Sequence, residues 1–207
     1  MKVTLIGSGN MGSGLAQQIS RAAHSLVITG RNAGKAKELA RAVGATFKDK
    51  AAAEGADVVI VATAYADAVA ALRSAGDLNG KVIIDVTNPV TDDYMGLTIG
   101  HSTSAAEEIQ KAFPKAKVVK AFNTVFAQVL AAGPSLAGDT VPVYFAGDDA
   151  GAKETVKALI QSTGFAPVDA GGLKNARYLE PLAGLNIYFG YGAGHGTTVA
   201  PKWIGIK

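Results

Sequence analysis

The sequence predicts a doubly wound α/β fold: a parallel sheet with helices on both faces, and a small helical extension at the C-terminal end. Three observations predict it. The apolar run Lys2–Ile6 passes directly into a glycine-rich turn. Short β-branched runs then alternate with longer helical patterns over two thirds of the chain, and such alternation builds βαβ units. The strand runs are continuously apolar, as strands buried on both faces are.

Each element follows in order. Lys2–Ile6 is the first strand. Met11–Ala23 is the first helix, because Leu15, Ala16 and Ile19 share one face. Leu26–Thr29 and Ala33–Val43 form the next strand and helix. A short helix is expected over Asp49–Glu54, before the strand Asp57–Ala62 and the helix Tyr65–Ala75. Lys81–Asp85 and Lys117–Val119 are strands on either side of the helix Thr103–Ala112. Val141–Ala146 and Phe165–Val168 flank the helix Asp149–Gln161 and extend the same sheet. Gly171-Gly172 marks a boundary between a domain over 1–171 and an extension over 172–207. The extension carries a helix from Asn175 towards Tyr191 and an irregular end, Gly192 to Lys207.

The composition narrows the function classes. Hydrophobic residues make up 48% of the 207 residues and charged ones 18%, which excludes a disordered chain. The absence of cysteine removes disulfides, thiolate metal sites and a cysteine nucleophile. The net charge of +3 is scattered, without the basic run of a nucleic-acid or membrane surface. The N-terminal residues read as a strand, not a leader, and Pro181–Tyr191 is too short to span a bilayer. A cytoplasmic protein is expected. No two histidines have metal-ligand spacing on a helix, so no metal is expected.

Gly7-Ser8-Gly9-Asn10-Met11-Gly12 has the G-x-G-x-x-G spacing between a strand and a helix, the context that makes it a dinucleotide-binding signature. Gly7 permits the tight turn, Gly9 lets a pyrophosphate approach the backbone, and Gly12 lets helix and strand pack closely. Amides at the helix N-terminus complete the anion site. Proteins that take NAD place an acid about 20 residues later, on the ribose hydroxyls. Here Ile28-Thr29-Gly30-Arg31-Asn32 puts an arginine there, and no acid lies between Ser25 and Lys37. A guanidinium bonds a 2′-phosphate that a carboxylate repels, so NADP(H) is the expected cofactor. Thr29 and Asn32 offer neutral hydrogen bonds and Lys35 a second charge.

The carboxyl ends of the other strands should line the same cleft. They carry Ala62-Thr63-Ala64, Asp85-Val86-Thr87-Asn88-Pro89 and Lys120-Ala121-Phe122-Asn123-Thr124. Asn88, Asn123 and Thr124 are candidates for the nicotinamide carboxamide. No catalytic residue is identified. The Tyr-x-x-x-Lys pair of short-chain dehydrogenases is absent, as is the glycine-flanked helix lysine of β-hydroxyacid dehydrogenases. His101, before a helix, and His195, in a glycine-rich loop, are candidates to line an acceptor site. His24 reads as a helix-end or solvent group. Leu182, Leu185, Ile187, Tyr188, Phe189 and Tyr191 are too apolar for a solvated helix and suit core, a homodimer face or an acceptor pocket. Trp203 is expected to anchor the tail or to cover the acceptor ring.

Taken together, the glycine turn through Ala16, Thr29-Gly30-Arg31 and Val119–Thr124 resemble NADPH-dependent reductases of the deazaflavin coenzyme F420. So do Val141-Pro142-Val143, Gly147-Asp148-Asp149, Asp169–Leu173, Asn175-Ala176-Arg177 and Glu180. The cytosolic reductase domain of six-transmembrane metalloreductases is similar too. The resemblance implies a Rossmann fold and hydride transfer between NADP(H) and a small-molecule acceptor, a flavin or deazaflavin ring. Phe122-Asn123-Thr124 departs from the archaeal deazaflavin enzymes, which tend to carry a histidine there. A non-catalytic NADPH sensor and an NADPH-dependent imine or carbonyl reductase stay open as alternatives.

Overall fold

In the computed structural model, which describes residues 1–205, the expected α/β architecture is present. The elements are β1 (Lys2–Ile6), α1 (Asn10–Arg21), β2 (Ser25–Thr29), α2 (Ala33–Val43), β3 (Thr46–Phe47), β4 (Val58–Val61), α3 (Tyr65–Ser74), β5 (Val82–Asp85) and α4 (Ala105–Ala112). Then come β6 (Lys117–Ala121), α5 (Ala127–Ala132), the short β7 (Ser135–Leu136) and β8 (Asp139–Thr140), β9 (Pro142–Gly147), α6 (Ala150–Ser162), β10 (Ala166–Asp169) and α7 (Ala176–Ile187). A 3-10 turn over Leu173–Asn175 leads into α7, and a π turn over Tyr188–Gly192 ends it.

Eight strands form one sheet in the order β10-β9-β6-β5-β4-β1-β2-β3. All adjacent pairs are parallel except β6 with β9, so the last two strands run against the others. The doubly wound parallel sheet expected from the sequence is present, with one antiparallel seam. Continuous apolar runs are compatible with either direction once both faces are covered.

Successive residues of β4 divide between the two faces. Val58 and Ile60 join the cluster under α1, α2, α5 and α6, whereas Val59 and Val61 join the one under α3 and α4. The strand order reverses at β1, with β2 on one side and β4 on the other. In open α/β sheets the crevice beyond the carboxyl ends at such a point is where ligands bind.

Three segments differ from expectation. Asp49–Glu54 is a series of turns, not a helix. Ala51 and Gly55 both have positive φ there (49° and 74°), and six residues cannot repay helix nucleation. Helix α5 has only six residues, too few to show a period. The β7–β8 hairpin turns through Ala137 and Gly138, both with positive φ (51° and 86°). That is the backbone of a type I′ turn, whose usual Asn-Gly signal the alanine hides. Of the expected irregular end, residues 206 and 207 lie outside the described residues.

Candidate functional site

The glycine turn has the geometry its spacing predicts. Gly7 has φ of 124°, and a Cβ on it would fall 2.3 Å from the Ala62 carbonyl oxygen. A Cβ on Gly12 would fall 2.2 Å from the Gly7 carbonyl oxygen, so both positions are closed to a side chain. Gly9 differs: its Cβ would meet nothing within 4 Å. Gly9 is also the N-cap of α1, whose first turn has neither an acid nor a side-chain cap. Asn10, Met11 and Gly12 thus begin a helix whose leading amides have no side-chain cap, the arrangement an anion needs. Ser8 lies within this turn, its Oγ 3.7 Å from a Cβ built on Gly30.

Thr29 is buried at the end of β2, and its carbonyl accepts the Gly7 amide at 2.9 Å. Its role in the structure is to hold the turn. Asn32 is the N-cap of α2, its Oδ1 accepting the Lys35 amide at 3.0 Å. Arg31 is left reaching outward, its side chain 89% exposed, with Nη1 3.1 Å from Asp67 Oδ2 on α3. Thr63 donates to the Ala64 carbonyl.

At the far rim Asn88 and Asn123 bond each other. Asn88 Nδ2 donates to the Asn123 carbonyl and Asn123 Nδ2 to Asn88 Oδ1, both at 2.9 Å. Asn123 Nδ2 also donates to the Leu179 carbonyl and Asn186 Nδ2 to the Thr124 carbonyl, so α7 is pinned directly to this rim. Among the described residues, three buried side-chain polar atoms have no partner: Thr87 Oγ1, Asn123 Oδ1 and Thr124 Oγ1. Such orphans are rare in native proteins, and here they gather at the ends of β5 and β6.

Beneath them lies a group that reading the sequence did not assemble. Lys120 and Asp85 are register partners on β6 and β5. Lys120 Nζ is 2.8 Å from Asp85 Oδ2 and 2.8 Å from Glu180 Oε1 of α7, and all three side chains are essentially inaccessible. Lys120 also donates to the Thr87 carbonyl, and Asp85 Oδ1 accepts the Thr87 amide. Glu180 takes the Ala105 and Ala106 amides at the start of α4. Burial pushes the Glu180 carboxyl above its ordinary value, and Lys120 opposes that shift. The signal was legible: two apolar strands each carry a charge at or next to their carboxyl end, one of each sign. Burial, aided by the carboxylates of Glu108 and Glu180, raises the phenol of Tyr65 on α3, which stays a neutral hydroxyl.

The histidines stand apart from this network. His101 is exposed in a left-handed conformation (φ 55°) and offers its carbonyl to Arg177. His195 is exposed, its ring 6.2 Å from that of Phe189. His24 touches the terminal amine and Ser162. Among the described residues no cluster of histidines and acids has the arrangement to hold a metal.

The apolar segment of the extension is partly core and partly surface. Leu179 and Ala183 are buried, whereas Leu185, Tyr188, Phe189 and Tyr191 are exposed. The π turn rests on the rim: a Cβ on Gly190 would fall 2.6 Å from the Phe126 ring, and Tyr191 meets that ring edge-on at 5.9 Å. Trp203 packs edge-on against Tyr144, as an anchor for the tail. A cavity of about 410 Å³ around Lys111, Lys117 and Asp149 lies at the amino end of β6, away from the turn. No helix of the described residues is long and apolar enough to cross a membrane.

Comparison with known proteins agrees with this geometry. The model of the family described as NADP oxidoreductase coenzyme F420-dependent matches residues 2–89. The chain is 32% identical over 182 residues to metalloreductase STEAP3 of Rattus norvegicus, covering 87% of this chain and 36% of that protein. It thus spans little more than a third of that relative's length. It is 30% identical over 212 residues to the F420-dependent NADP reductase of Methanothermobacter marburgensis, covering 90% of this chain and 91% of that one. A solved structure, a candidate F420-dependent NADP-reductase from Arthrobacter sp. FB24, superposes with a TM-score of 0.84 at 30% identity over 96% of both chains. With relatives matched over nearly their full length and the glycine turn in agreement, the chain belongs to the coenzyme F420-dependent NADP oxidoreductase family.

Proposed function

We propose that the protein is a cytoplasmic, homodimeric enzyme that transfers hydride between NADP(H) and a flavin or deazaflavin ring. The observation that carries this reading is the seating of α7 and its closing π turn on the rim that ends β5 and β6, through Asn123, Asn186 and Gly190. An apolar, aromatic surface thereby adjoins the end of the cleft opposite Arg31. When bound, the nicotinamide supplies the hydride, and the task left to the chain is to hold two rings at near-attack distance.

The roles divide along the cleft. The turn Gly7 to Gly12, with Ser8, Asn10 and Met11, holds the pyrophosphate. Arg31 and Lys35 take the 2′-phosphate, with Thr29 and Asn32 shaping their loop. Ala62, Thr63 and Ala64 form the wall beyond β4. Asn88 fixes Asn123, whose free Oδ1 joins Thr124 Oγ1 as the group assigned to the carboxamide. The extension over 172–207 supplies the acceptor surface and the dimer face.

The assay follows NADPH consumption with FMN, FAD, riboflavin and deazaflavin separately. Activity with at least one ring is expected. Because positioning supplies the rate, His101→Gln and His195→Gln should each lower turnover by less than about 10²-fold, below the range for loss of a general acid or base. Activity restricted to carbonyls or imines, or none with any ring, overturns the proposal.

Arg31→Ala should weaken NADPH binding by about 10- to 100-fold, the worth of a charged hydrogen bond, and spare NADH. Equal loss for both cofactors in a fluorescence titration would remove Arg31 from the 2′-phosphate site. The dimer is testable separately. Light scattering at micromolar concentration should give twice the chain mass, and Tyr188→Asp should give the monomer, since a charge on an apolar interface disfavours it.

A further inference from the structure

The ion pair between Arg31 and Asp67 joins two loops that flank the glycine turn. Arg31 lies just past β2 and Asp67 in the first turn of α3, past β4. Both strands pair with β1, on opposite sides, and Ile6 faces Thr29 across one seam and Val61 across the other. The turn itself is held between the loops. A Cβ on Gly30 would lie 3.8 Å from Gly7, and one on Gly7 would meet Ala62. The pair therefore spans the opening above the turn, at the end of the cleft where a dinucleotide's ribose would lie.

Among the described residues Asp67 is the one carboxylate bonded to Arg31, through a single contact of 3.1 Å. Among the described residues nothing else bonds the guanidinium, which is 89% exposed against 49% for Asp67. An anion at this spot does to Arg31 what a 2′-phosphate does. Two anions compete for one fork of donors, and the phosphate with its greater charge wins. A cofactor without the phosphate leaves the pair in place.

We propose that Asp67 is a specificity-determining residue: an internal anion that occupies Arg31 until the 2′-phosphate displaces it, and so sets how strongly NADPH is preferred over NADH. This rests on the assignment of Arg31 to the 2′-phosphate. Asp67 lowers the preference, because every NADPH that binds must first break its contact with Arg31 and then lies beside a like charge. The sequence hides this residue, since it is 36 positions from Arg31 and on another element.

The test measures dissociation constants of NADPH and NADH by fluorescence titration for four proteins: the unaltered chain, Asp67→Asn, Arg31→Ala and the double variant. Asp67→Asn keeps the shape and removes the charge. It should tighten NADPH by roughly 2- to 5-fold, the range that the strength of a surface ion pair allows, and leave NADH unchanged. In the Arg31→Ala background the same change should leave most of this gain unrealised, because no guanidinium remains to be freed. If Asp67→Asn weakens NADPH, Asp67 orients Arg31 and does not compete with the phosphate, and the proposal fails. An equal change for both cofactors assigns Asp67 to the shape of the cleft and also refutes it. Arg31→Ala alone separates the premise from the inference. If that variant loses NADPH affinity while Asp67→Asn gains none, the inference falls and the Arg31 assignment stands. If Arg31→Ala loses no NADPH affinity, both fall.

Discussion

Gly9→Val should yield a folded protein that no longer holds NADPH. The two halves of that expectation come from different facts. A Cβ at Gly9 meets no protein atom within 4 Å, so the turn tolerates the side chain. The space it fills is the path of the pyrophosphate to the first amides of α1. Loss of two charge-assisted hydrogen bonds costs about 3–6 kcal/mol, which puts the affinity loss beyond 100-fold. Gly12→Ala is the contrasting control. Its methyl would fall 2.2 Å from the Gly7 carbonyl oxygen, so this change strikes the fold first. Circular dichroism melts and NADPH titrations on both variants separate the cases. A Gly9→Val protein that melts like the parent and binds NADPH normally would take the turn out of the site.

The contrast shows what a linear sequence carries. The spacing Gly7-x-Gly9-x-x-Gly12 between a strand and a helix announced both the fold and the cofactor end of the cleft. Each glycine there is fixed by neighbours close in the chain. The long helices were legible for the same reason, since their periods and caps are local: Ser104 and Asp149 each accept an amide three residues ahead. What stayed hidden was short or distant. Helix α5 is built against α1: a Cβ on Gly14 would fall 2.8 Å from Leu130 Cβ and 3.2 Å from the Ala127 carbonyl oxygen, and Gln18 bonds the Leu130 carbonyl, contacts over a hundred residues apart. Asn32 read as a ligand group because an exposed polar residue after β2 fits one, yet its oxygen caps α2. Of the late residues that resembled the family, Arg177 and Glu180 turn out to fasten the extension, whereas Asp169 ties β10 to α6. Asp169 pairs with Lys153, Arg177 with Glu107 on α4, and Glu180 with Lys120.

Lys120→Met should be the most damaging change to stability away from the glycine turn. The lysine is the cation between two carboxylates in a site closed to water. Methionine fills the stem's volume but leaves Asp85 and Glu180 facing each other without a counter-charge. Removing one partner of a buried ionic group costs about 3–5 kcal/mol. For a chain of this size each kcal/mol moves the midpoint by about 2–4 °C, so a fall of roughly 10 °C is expected. The defect should depend on pH, with a sign fixed by Glu180. Its folded-state carboxyl already titrates above the ordinary value because of burial, and Lys120 is what restrains that rise. A carboxyl raised on folding binds more protons in the native state than in the unfolded one. Stability therefore falls as pH rises through the interval between the two values, and is regained on acidification. Without Lys120 the native value climbs further and the interval widens upward. Urea melts of Lys120→Met should thus show a smaller deficit near about pH 5 than near about pH 8. Glu180→Gln added to the variant should recover part of the loss at the higher pH, since it removes one of two stranded charges. A pH-independent deficit, or one below about 1 kcal/mol, the level of an exposed pair, would mean that these charges do not hold α7 on the rim.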